Sequence, residues 1–139
     1  MDKFPHVNTD VLIIKDEQVL LGMPSEKWLQ GKEKLYGLPG DDIRFQETIE
    51  AAVMRNLQDL FDAKLTSMTI LGVHENFAFG NHYIGIGCLA AVNGALNLDK
   101  PSEDWEKWMW VSLDSLPKNL FEPVKATIEK YHKYKQKVY

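Results

Sequence analysis

The residues able to do polar chemistry concentrate between Leu35 and Asp62, LYGLPGDDIRFQETIEAAVMRNLQDLFD. There a strand ends in Leu38-Pro39-Gly40, a charged turn follows, and a helix carries Glu47, Glu50, Arg55 and Asp59. Carboxylates are hard oxygen ligands of the kind Mg²⁺ takes, commonly one or two of them completed by water and phosphate oxygens. A guanidinium in the same stretch can orient a carboxylate or a phosphate. Helical spacing puts positions 56, 59 and 60 on one face with Arg55 beside it, and Asp59 is the acid among those three. An alternative needs no chemistry: Glu47, Glu50, Arg55, Gln58 and Asp59 form a solvated face, while Ile49, Ala52, Val53, Leu57 and Leu60 are core.

The stretch resembles the Nudix box, G-x5-E-x7-R-E-U-x-E-E-x-G-U with U aliphatic, normally preceded by an aliphatic-Pro-Gly. Setting Arg55 on the family arginine puts Glu47 on the first glutamate, Leu57 on the aliphatic position and Gly40 just before the box. The box is depleted elsewhere. Asn56 and Leu60 stand where the family has glutamates, Asp59 replaces a third, and Asp41 replaces the opening glycine. Arg44 and Gln46 replace a glutamate and a glycine of the preceding turn, and Asp62 stands at the closing glycine, a left-handed helix end that Asp tolerates better than most residues.

The resemblance implies a cofactor, Mg²⁺ with Mn²⁺ as a substitute, held by the Gly40 carbonyl, Asp59 and Glu47, with Arg55 orienting a carboxylate or phosphate. It also implies a general base from the loop 93–106, with Glu106 as first choice and Glu103 as second. A base must reach the attacking water, and a carboxylate near bound Mg²⁺ can take that proton at neutral pH. A solvated acidic loop is the competing reading of those two residues.

Around this stretch the pattern predicts a strand over Thr9 to Lys15, a turn at Asp16-Glu17 and a second strand over Gln18 to Met23. Lys27, Lys32 and Lys34 share the next loop with Trp28, which could stack on a base. The box helix starts near Glu47-Thr48 and ends by Asp62. Strands follow over Met68 to Asn76 and Tyr83 to Val92, at the centre of a mixed sheet. His74, His82, Phe77 and Phe79 gather at the turn between them, where the resemblance places a substrate base or sugar; ordinary strand-end histidines are the alternative. Trp105 sits in the acidic loop, a candidate for substrate contact or for a protein-interaction surface with Trp108. The tail also resembles the family, a Trp-x-Trp strand leading through Leu-Pro to a closing helix whose Val124, Ile128 and Tyr131 share one face.

Bulk properties bound the function. With 139 residues and 45% hydrophobic content the chain can bury a core, and it reads as a single domain over 1–139. A net charge of −4 argues against general nucleic-acid affinity. No apolar run approaches membrane-spanning length and no secretory signal is present, so a cytoplasmic protein is expected. The lone Cys88, in an apolar run, excludes a disulfide framework and reads as an inert thiol.

The expected fold is therefore an α/β/α sandwich of the Nudix type, with a mixed sheet between the box helix and the C-terminal helix. The implied function is hydrolysis of a nucleoside diphosphate linked to another group, or of a nucleoside triphosphate. A nucleotide-binding protein without turnover is the alternative, on the strength of Asn56 and Leu60. A second alternative is similarity to GDP-mannose mannosyl hydrolases, which share the His82-Tyr83 pairing but keep a glutamate at the position of Leu60. A homodimer is left open.

Overall fold

A computed structural model describes residues 4–138. The first strand, β1 (His6–Leu12), runs parallel to β5 (Tyr83–Asn93), and β5 pairs antiparallel with the long β4 (Lys64–Asn76). The short β2 (Ile14–Lys15), β3 (Gln18–Pro24) and β6 (Trp105–Ser112) make a second, antiparallel sheet. Helix α1 (Glu26–Leu29) follows β3, α2 (Ile49–Phe61) is the box helix, and α3 (Glu122–Val138) closes the fold.

Side-chain alternation along the strands explains the layers. Val11, Ile86, Cys88 and Ala90 point to one side and meet Val53, Leu57 and Phe61 of α2. Leu12 points to the other, with Val124, Ile128 and Tyr131 of α3. The second sheet splits the same way, Leu20 toward α2 and Val19 with Leu21 toward α3. This is the expected sandwich, a mixed sheet between box helix and C-terminal helix. No helix among the described residues is long and apolar enough to cross a membrane.

Five details differ from the sequence expectation. The strand expected to end in Leu38-Pro39-Gly40 is irregular backbone in which Tyr36, Gly37 and Asp42 make isolated bridges. The strand over Thr9 to Lys15 is two strands, because the chain passes at buried Ile13 from one sheet to the other. Asp16 and Glu17, at φ 53° and 61°, form the two-residue turn that joins β2 to β3. Strand β4 begins at Lys64 rather than Met68, since register shifts after Leu65 and Ile70 interrupt the alternation that marks a strand. It lies at the edge of its sheet, leaving β5 in the centre. Trp105 and Glu106 already belong to β6, with Trp105 opposite Pro24.

Between the two sheets runs the segment 36–42. Gly37 exchanges both backbone hydrogen bonds with Gly22 of β3, and the Pro39 and Asp41 carbonyls accept from Val11 and Thr9 of β1. Gly40, at φ +153°, lies so close that a Cβ there would collide with the Thr9 carbonyl. The Leu-Pro-Gly sequence is thus a strap that ties both sheets together and delivers the chain to α2.

Leu57 is fully buried in the α2-side core, so Leu57→Ala is expected to lower stability by about 2–5 kcal/mol in a denaturant titration. Ile70→Ala, at a site half exposed on β4, is expected to stay within about 0.5 kcal/mol.

Candidate functional site

Thr48 caps α2, its side chain accepting from the Ala51 N–H, and Asp62 ends it at φ 52°, so the helix keeps its termini despite the altered closing residue. Arg55 is the hub of the loop before it. Its Nε and Nη2 donate to the two Glu47 carboxylate oxygens at 2.8 and 2.9 Å, Nη2 also donates to the Asp42 carbonyl at 2.9 Å, and Nη1 reaches Asp41 at 3.4 Å. Glu47 further accepts from the Arg44 N–H at 3.0 Å. The Arg55 guanidinium, then the Arg44 N–H, hold the Glu47 carboxyl down at about 2, and Glu47 in turn raises Arg55. Glu47 is therefore committed to positioning Arg55 and the loop.

Beside this hub opens a cavity of about 530 Å³. Gly40, Asp41, Asn56, Asp59 and Leu60 line one end. Trp28, Phe79, Trp105 and Phe121 supply aromatic walls, with Trp28 and Phe79 centroids 6.1 Å apart and Phe79 and Phe121 5.7 Å apart. Trp28 is fixed by a 2.9 Å hydrogen bond from its indole N–H to Asp104, whose carboxylate also meets Lys27 at 3.2 Å. That contact, first from Trp28 and then from Lys27, lowers the Asp104 pKa.

The structure gathers Gly40, Asp59, Trp28, Phe79 and Trp105 in the cavity lining. Glu47 and Arg55 stand behind it. Glu103 and Glu106 are exposed and outside that lining; Asp104 and Ser102 from the same loop are inside. Phe77 and His82 also lie outside, stacked on one another at 4.7 Å, with His82 on Glu75 at 2.8 Å. Leu60, read as core, is partly exposed to the cavity, whereas Asn56 is buried and donates to Thr9 Oγ1 at 2.6 Å. Sequence reading missed Asn8, Asp10 and Phe121. Asn8 and Asp10 left a signal, two polar residues at alternate positions of a strand that turns apolar. Cys88 is buried, and burial followed by the Asp10 charge pushes its thiol up to about 12, as suits an inert group.

The donors present decide what cation fits. Asp59 offers a carboxylate, Asn56 a neutral amide, Leu60 nothing, and Glu47 faces Arg55. Gly40 lies between two residues whose carbonyls turn to β1, so alternation turns its own away. Among the described residues no three His, Cys, Asp or Glu side chains are grouped to hold a metal. This set does not suit an ion caged by protein alone. It suits a hard divalent cation that would draw its remaining oxygen ligands from outside the protein.

The NUDIX domain family model matches residues 4–131. The chain is similar to a MutT NUDIX hydrolase from Burkholderia pseudomallei at 27% identity and TM-score 0.79, covering 92% of this chain and 98% of that one. It has the fold of the MutT protein from Methanosarcina mazei Go1, at 18% identity and TM-score 0.79 over 97% and 99% of the two chains. The fold is shared as well with an ADP-ribose pyrophosphatase from Streptococcus suis, at 16% identity and TM-score 0.62 over 85% and 81%.

The Glu47–Arg55 pair makes acid stability measurable. Glu47 titrates at about 2 in the fold against an ordinary 4.5, so its contribution is fully present above pH 4.5 and is lost as pH falls toward 2. Thermal melts across that window should show Glu47→Gln with a shallower acid decline than the parent and a lower melting temperature at neutral pH.

Proposed function

The chain belongs to the Nudix family, and from that premise we propose that it hydrolyses a phosphoanhydride bond in a small nucleotide derivative. The substrate class is a nucleoside diphosphate linked to another group, or a nucleoside triphosphate. The observation that carries this reading is the polarity of one cavity. Aromatic side chains that can stack on a base face an end where Gly40, Asp41 and Asp59 meet α2.

The residues divide the work. Trp28, Phe79 and Trp105 hold the base or its sugar and exclude water, while Asp59 and the Gly40 carbonyl would hold a Mg²⁺, or Mn²⁺ in its place. Bound there, the ion would withdraw charge from the phosphate under attack. Arg55 acts at one remove, fixing Glu47, Asp41 and the Asp42 carbonyl so that the turn keeps its shape. Among the described residues the Asp59 carboxylate makes no hydrogen bond within the protein, unlike those of Asp41, Asp42 and Asp104, so its oxygens are free for the ion or for a water proton. A specific contact favours a second reading, ligand binding without turnover: the Asn56 amide, at a family glutamate position, is spent on Thr9.

A nucleotide panel assayed for phosphate and product release, with and without Mg²⁺, separates the two. Metal-dependent turnover is expected, falling about a hundredfold or more in Asp59→Ala. Trp28→Ala should raise KM about tenfold through lost stacking with a smaller effect on kcat. Thermal protection by nucleotides with no turnover of any compound would replace hydrolysis with binding.

A further inference from the structure

On β1, Thr9 and Asp10 point to opposite sides of the sheet. Thr9 faces α2, where it accepts from Asn56. Asp10, two residues before Leu12, faces the α3 side, where Phe121, Pro123 and Val124 line the same cavity. There the Asp10 carboxylate, only 10% exposed, meets His74 Nε2 at 2.6 Å and accepts from Asn8 Nδ2 at 3.2 Å. His74 is on β4, and β5 lies between it and β1. The two side chains meet because the intervening residue is Gly85, where a Cβ would collide with both Asp10 Oδ2 and His74 Nε2.

Hydrogen bonding fixes the character of this pair. His74 Nδ1 is buried and without a partner, so a proton there would be an orphaned donor, costlier than an unfilled acceptor. A proton on Nε2, donated to Asp10, leaves no buried donor unpaired, and Asp10 then presents acceptors. Asn8 and His74 each meet one oxygen of this buried carboxyl, and its remaining lone pairs call for donors from whatever fills the cavity. The Asn8 side-chain oxygen, also buried and unpartnered, adds another acceptor beside it.

We infer that Asp10, held by His74 and Asn8 over Gly85, is the specificity residue of the cavity and accepts hydrogen bonds from the N1–H and exocyclic amine of a guanine-type base. This rests on the nucleotide reading above and narrows it. Guanine presents two adjacent donors, which a carboxylate takes in parallel. Adenine and cytosine put a ring-nitrogen acceptor beside their amine, and uracil flanks its one N–H with carbonyls, so each meets the carboxylate with a lone pair. A ribose diol also offers paired donors, but the cavity that Asp10 lines is walled by aromatic side chains, which suit a flat base.

Calorimetric binding of GDP, IDP, ADP and 2′-deoxy-GDP to the wild-type chain tests this without turnover. GDP should bind about tenfold tighter than IDP, which lacks the amine, and tighter still than ADP, while 2′-deoxy-GDP should match GDP. Asp10→Asn, which exchanges one acceptor for a donor, should weaken GDP about tenfold or more and bring ADP level with it or ahead. Should that variant fail to fold, the wild-type series decides alone. GDP and ADP within twofold of one another would overturn the inference and leave the hydrolase reading standing. A tenfold loss for 2′-deoxy-GDP with GDP and IDP equal would assign Asp10 to the sugar and overturn the base assignment. Absence of binding by any of the four would overturn this inference, and hydrolysis would then be judged by the Mg²⁺-dependent panel alone.

Discussion

The strap from Tyr36 to Asp42 is the contact on which the rest depends. Neither three-stranded sheet is wide, and the strap joins them by backbone hydrogen bonds to Gly22 on one side and to Thr9 and Val11 on the other. The close approach of Gly40 to the Thr9 carbonyl leaves no room for a side chain, which makes glycine a steric requirement there. The same backbone sets the floor of the cavity and the entry of the box helix. Sheet pairing and site geometry are in that sense one set of hydrogen bonds.

Arg55 extends this order to the loop before α2. A loop of charged residues gains little from isolated surface pairs, but a bidentate guanidinium that also binds a backbone carbonyl fixes several groups at once. Glu47 and Arg55 are spent on each other, which leaves Asp41, Asp42 and Asp59 as the carboxylates of this loop and helix in the cavity lining. Asn56 has a structural task, its amide tying α2 to β1 through Thr9. Leu60 adds apolar surface to the cavity.

Alternation along one strand then divides the cavity. Thr9 serves the side of the box helix, Asp10 the side of the closing helix, and the strap runs beside both. The loop before β6 completes the walls by latching Asp104 to Trp28 and Lys27. Aromatic surface from four separate segments, at Trp28, Phe79, Trp105 and Phe121, thereby converges on one space. Their sequence separations give no hint of that, because packing of the helices and loops, and not spacing, brings them together.

The local sequence carried the elements. The Asp16-Glu17 turn, the Thr48 cap, the Asp62 helix end and the apolar face of α3 are decided within a few residues, by backbone preference and period, and they stand where the sequence put them. Gly40, Glu47, Arg55 and Asp59 lie close together in the sequence, on one strap, turn and helix, so their nearness in space was legible for the same reason. Tertiary structure decided what spacing cannot, namely which side chains share a volume. Glu103 and Glu106 lie outside the cavity lining while Asp104 between them belongs to it, and two neighbouring strand positions, Thr9 and Asp10, take their side chains to opposite sides of the sheet. The meeting of Asp10 with His74 needed a third strand whose residue there is glycine, and a contact made across 64 positions of sequence exists only once the sheet has formed.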